Sequence, residues 1–203
     1  MPGDNGLCLS AAPSRGVGTR LPVAGPLVQA ARLLDWDGTV VERMALFGQR
    51  VAVVATVDWQ AHAARVTAGW GPVTDRMSIA MWEEWAEQHG TVPPPVISLT
   101  GVLAQGKGWQ RVLSAVGGFV GFGSTAILLH QDHAPNRHCL ITAQLHGVAV
   151  LRRGTTADDL ELLQPGRSGP VPTARPTTVS RWVTELIYER LLADGLLTGP
   201  DDA

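Results

Sequence analysis

Eighteen consecutive residues, Val112 to Leu129, carry no charge. A run of that length is the minimum for a membrane-spanning helix, so it must be buried either in lipid or in the protein's own interior. Its composition separates the two. Gly117, Gly118, Gly121 and Gly123 interrupt it, and Ser114, Ser124 and Thr125 add hydroxyls. Gly117 and Gly121 have the GxxxG spacing that lets helices pair in lipid. Yet clustered glycines weaken any helix that contains them, and no second long apolar segment follows. The run therefore reads as the end of a helix, a glycine turn and a buried strand, with no membrane as partner.

The rest of the composition fits a chain that buries a core. Of 203 residues, 45% are apolar and 17% charged, against about 25% charged in ordinary soluble domains. A formal charge of −2 offers no field that would attract nucleic acid. Arginine supplies every basic residue except Lys107, a bias that goes with a high-GC bacterial genome. Cys8 and Cys139 are too few for a disulfide framework. Met1 to Ser10 lacks the basic and apolar regions of a signal peptide, so a cytoplasmic location is expected. Seven tryptophans in so weakly charged a chain point to surface covered by a partner or by a second copy.

Residues 1–25 are rich in Gly, Pro and Ser without periodicity and read as a flexible tail. Pro26 to Leu34 is a short helix candidate, with proline near its start. Thr39 to Phe47 and Arg50 to Trp59 are β-rich runs around Gly48-Gln49, a hairpin signal. Asp75 to His89 reads as a helix capped by Thr74 or Asp75, with Met77, Met81 and Trp85 as its stripe. Val96 to Leu99 is a short strand, and 108–117 a helix. Thr125 to Gln131, His138 to Leu145 and Val148 to Arg152 read as a three-stranded meander, and Leu160 to Leu163 as a further strand. Pro165 to Pro176, with four prolines, reads as a linker. Val179, Trp182, Val183, Leu186 and Ile187 form one stripe of a last helix over 177–194. Strands in runs imply a single α+β domain over 26–203, with a largely antiparallel sheet: hairpin 39–59 and meander 125–152.

Four of the six histidines lie between His130 and His146, with Cys139 among them. In a hairpin of 125–131 with 138–145, one register sets His130 opposite His138, and a one-residue slip sets it opposite Cys139. His133 and Asp132 sit in the loop between. Imidazole and thiolate ligate zinc, so His130, His133, His138 and Cys139 are the candidate metal ligands, for zinc or another divalent metal. A solvated hairpin loop is the competing reading, because Ala134-Pro135-Asn136 is ordinary turn chemistry.

Three further segments have partial matches to known motifs. His130-Gln131-Asp132-His133 resembles part of the HxHxDH motif of metallo-β-lactamase-fold hydrolases, with Leu128 where the first histidine belongs. Asp35-Trp36-Asp37-Gly38-Thr39 resembles the DxDGT signature of haloacid dehalogenase-type phosphatases. That resemblance implies Asp35 as nucleophile and Asp37 as general acid around Mg²⁺, with Thr100, Lys107 and Asp158-Asp159 in supporting positions. Gly101 to Lys107 matches a P-loop except that Gly108 replaces the hydroxyl residue that would bind Mg²⁺.

Tryptophan content, low charge and the amphipathic last helix favour a protein without catalytic activity that binds another protein or a second copy of itself, a subunit of a bacterial assembly. Trp182, Leu186 and Tyr188 are its candidate contacts. The alternatives are a metal-dependent protein built on the histidine cluster and a Mg²⁺-dependent phosphatase using Asp35 and Asp37.

Overall fold

The computed structural model describes residues 25–84, 92–133, 135–155 and 159–197. The tail reading of 1–25 thus lies outside the described residues except for Gly25, as does the second half of the 75–89 helix with Trp85. The described residues form one α+β domain around a six-stranded open sheet, ordered β1-β2-β3-β4-β5-β6. β1 (Thr39–Leu46), β2 (Gln49–Val57) and β3 (Ile97–Gly106) are antiparallel neighbours. β4 (Ser124–Leu129) and β5 (Ala149–Arg153) run parallel to β3, and β6 (Leu160–Gln164) turns back antiparallel along β5.

Local chemistry explains most elements. Phe47 and Gly48 are the two loop residues of the first hairpin, both at positive φ (49° and 74°), the conformation of a type I′ turn. Arg43, at φ 58°, sits where the register of β1 slips between Val41 and Met44. β3 extends far beyond the expected 96–99 because Gly101 belongs inside it. A Cβ at Gly101 would stand 2.3 Å from the ring of Trp36, so glycine lets that indole lie flat on the strand. The P-loop-like match therefore dissolves: Gly101 to Gly106 is strand and not loop.

The uncharged run behaves as its glycines dictate. It forms α4 (Trp109–Gly117), a turn, and the fully buried strand β4. No described helix is long and apolar enough to cross a membrane.

The expected meander is corrected. Residues 138–145 are not a strand but most of α5 (Arg137–His146), which carries the chain from β4 to the parallel strand β5. Asn136 caps its start by accepting from the Cys139 N–H at 2.8 Å, and Gly147 at φ 69° ends it. The buried residues are Cys139 and Ala143, four apart, as on a helix. The alternation that mimicked a strand came from Ile141 and Leu145, which face outward.

A second helix was not expected at all. α2 (Trp59–Thr67) begins directly after β2, with Asp58 accepting from the N–H groups of Gln60 and Ala61. α3 (Arg76–Glu84) is capped by Asp75, as expected, but Ile79 is its buried residue and Met77 is exposed. α6 (Thr178–Ala193) matches its expected span, and Thr177 and Ser180 form a capping box.

Helices α4, α5 and α6 pack on one face of the sheet, where Val53, Val102, Ile127 and Val150 meet Val116, Cys139, Ala143 and Ile187. α1 (Pro26–Leu33) covers the other face over Ala52, Leu103, Leu128 and Leu151. The 165–176 segment holds to the body through Arg167 N–H to Gly147 O (2.8 Å), Gly169 N–H to Ser124 Oγ (2.8 Å) and Val171 N–H to Val120 O (2.8 Å).

Candidate functional site

The four candidate metal ligands are not brought together. His138 and Cys139 are successive residues of α5, which a helix points about 100° apart. Cys139 is fully buried, and burial pushes its thiol pKa above the ordinary value. His138 is exposed and meets the Trp109 ring edge-on at 5.4 Å. His130 follows β4 with Nδ1 3.0 Å from Asp132 Oδ2, and His133 is exposed in the loop beyond. Among the described residues, no three His, Cys, Asp or Glu side chains converge as a metal site.

The phosphatase-like set is also dispersed. Asp35 lies at φ 55° on the turn between α1 and the antiparallel strand β1, not at the carboxyl end of a parallel strand. Thr100 donates to the Asp37 carbonyl at 2.9 Å. Lys107 lies past the far end of the same strand, about 20 Å away at the rise of an extended chain. Asp158 lies outside the described residues.

The three α6 candidates are engaged within the molecule. Trp182 Nε1 donates to the Thr74 carbonyl at 2.8 Å, Arg76 stacks over its ring at 3.8 Å, and Phe47 approaches at 5.9 Å. Leu186 packs on the core. Tyr188 is fully buried, its hydroxyl 3.1 Å from His62 Nδ1, so it offers a partner no surface.

Beside Tyr188 lies a buried ionic cluster. Arg65, on α2, and Glu185, on α6, are both buried and pair through two contacts of 2.8 and 3.0 Å. Glu185 also accepts from Val73 N–H (2.9 Å) and Arg181 Nη2 (2.8 Å). Arg65 donates to the carbonyls of Trp70 and Pro94 (3.4 Å each) and of Gly71. Every hydrogen-bonding edge of the pair is used, as a buried charge requires. Burial, and secondarily Arg65, lowers the pKa of His62, whereas burial raises that of Tyr188 against the opposing pull of Arg65. The cluster fastens α2, the 70–73 loop and Pro94 to α6.

Exposed apolar side chains are scattered at Trp59, Met77 and Leu196, and on α5 two of them stand on one helical stripe. Leu145 is 79% exposed and Ile141 44%. They are four apart, on one stripe of α5 that continues to His138 and the half-buried Trp109. A groove of about 380 Å³ opens between α4 and the end of α5, lined by Trp109, Gln110, Leu113, Ser114, Gly117, His146 and Val148. Neither helix contains an acidic residue, and Arg111 and Arg137 are their cations. No family model, curated protein or solved structure matches the chain. Sequence reasoning missed this face because it took α5 for a strand. The signal was Asn136 followed ten residues later by His146-Gly147, a cap at each end of a short helix.

Proposed function

We propose that this chain is a binding protein without catalytic activity that associates with a second copy of itself through the α4–α5 face. The observation that carries this reading is the outward stripe of Ile141 and Leu145 on α5, whose end borders an apolar groove. Two bulky aliphatic side chains left in water at helical spacing are a standing gain from burial, each worth about 1.5–3 kcal/mol when fully covered.

A second copy suits the face for two reasons. An isologous pairing needs one self-complementary patch, and a helix stripe with a groove at its end supplies both the protruding and the receiving part. Antiparallel α5 helices would also lay each Arg137 beside the carbonyl end of the other helix, a favourable charge–dipole arrangement, and would hold the two Arg137 apart. Trp182, Leu186 and Tyr188 stabilise the monomer in this reading and do not form the contact.

Cross-linking tests the pairing. In an antiparallel pair, Ile141 stands near the two-fold axis. Oxidation of an Ile141→Cys variant, with Cys8→Ser, is expected to yield a covalent dimer. An Arg175→Cys variant in the same background is expected to yield far less. Equal yields from both would contradict the proposed contact.

A further inference from the structure

We propose that the cavity at the carboxyl end of β3 binds a compact, multiply charged oxyanion, such as a phosphate ester or pyrophosphate. The cavity is distinct from the α5 stripe and encloses about 530 Å³, within the range of small-ligand sites. Gly48, Gln49 and Arg50 come from the first hairpin, Gln105 to Gly108 from the end of β3, and Arg111 from the first turn of α4. Three elements thus place three cations on one opening, and Lys107 is the only lysine in the chain.

What marks the site is that several cations line one cavity without an acid among them. No Asp or Glu lines this cavity. Among the described residues, Arg50, Lys107 and Arg111 have neither an ion pair nor a side-chain hydrogen bond. Arg50 also lines an adjoining cavity, together with Glu42 and Arg43. Four other cations are paired, Arg65 and Arg181 with Glu185, Arg152 with Glu161 and Arg190 with Asp194, while Arg32, Arg43, Arg137, Arg153 and Arg175 have no ion pair among the described residues and are not gathered at this opening.

The backbone adds to the field. Gly108, in the lining, is the N-cap of α4 and has no side chain to cap the helix's first N–H groups. A Cβ at Gly106 would stand 2.8 Å from Val112 Cγ2, so glycine there lets the end of the strand lie close against α4. The only side chains of low polarity in the lining are Ala104, Val112 and Ala115. That wall suits a small ligand dominated by charge and not a large apolar one. Arginine supplies planar paired donors and lysine a mobile point charge, the combination used for oxyanions with several charged oxygens.

The test is titration calorimetry of the full chain with pyrophosphate and with inorganic phosphate at low ionic strength. Saturable binding of pyrophosphate at one site per chain is expected, with phosphate weaker and raised salt weakening both. Arg50→Gln, Lys107→Gln and Arg111→Gln are each expected to weaken binding about tenfold or more, the loss of one charge-assisted contact. Arg175→Gln, exposed and outside the cavity, makes the same change in net charge and is expected to bind as the wild type does. Circular dichroism checks that each variant is folded. No saturable binding, or equal weakening by Arg175→Gln, would overturn the proposal. So would binding of a DNA duplex by a protein that leaves pyrophosphate unbound.

Discussion

α6 and α5 dispose of their apolar side chains in opposite senses. α6 has sixteen residues, a capping box and a long apolar stripe, and it spends that stripe inside the molecule. Glu185, four positions before Glu189 on the same helix, is buried because Arg65 and Arg181 meet it there. α5 has ten residues and buries only the small side chains of Cys139 and Ala143. Of its larger aliphatics, Leu140 is half-buried against the core while Ile141 and Leu145 face water. A strong amphipathic pattern is therefore no guide to a partner-binding helix: the pattern reports burial, and the fold itself can supply the burying surface. On α5, the helix with the weaker signal, two large aliphatic side chains stay exposed.

Substitutions should separate the two helices clearly. The largest effect is expected at α6. Glu185→Gln leaves the buried Arg65 guanidinium without its countercharge and should cost about 3–5 kcal/mol, read as a lower urea midpoint. The double change Arg65→Met with Glu185→Leu should cost less than the sum of the single changes, because it removes both charges at once. Strict additivity would show that the pair does not act as a unit.

At α5 the expectation reverses. Leu145→Asp should shift monomer stability by no more than about 0.5 kcal/mol, as for other exposed positions, while abolishing self-association. A large fall in melting temperature would place Leu145 in the core and undo the comparison.

A smaller effect concerns His62, which packs under α6. Its pKa is lowered from 6.5 in the folded state, so below that value the unfolded chain binds the proton more readily. Its contribution is complete above about pH 6.5 and should decline as the pH falls through the folded-state value. Denaturation curves over that window should show the decline in the wild type and a shallower one in His62→Gln. Equal slopes would remove His62 from the account.

The smallest expected effect is kinetic. Cys139 is fully buried on the inner side of α5 and its thiol pKa is raised, so alkylation in the native state should be slow and should become fast in denaturant. Rapid native labelling would mean that α5 does not pack as described.

The contrast also explains what could be read in the chain. α6 was legible because its stripe spans four turns and is capped at Thr177, and α4 and β4 followed from the glycines within the uncharged run. α5 was not, because Cys139 and Ala143 give a faint stripe. Ile141 and Leu145 complete an apparent alternation, and Gly147 suits a hairpin as well as a helix end. α2 was hidden by Asp58-Trp59, where Trp59 continued the β-rich run and masked Asp58 as a cap. Nothing local could reveal the Arg65–Glu185 pair, whose members are 120 positions apart. Of the cavity cations only Lys107 stood out, through its glycine neighbours. Arg50 and Arg111 reach it only because the hairpin and α4 meet at the end of β3.

Sedimentation velocity of the wild type and of Leu145→Asp, run over a wide concentration range, tests the self-association most directly. The account predicts a concentration-dependent dimer for the wild type and a monomer throughout for Leu145→Asp. A wild-type chain that stays monomeric at every concentration, or a Leu145→Asp variant that still dimerises with wild-type affinity, would contradict it.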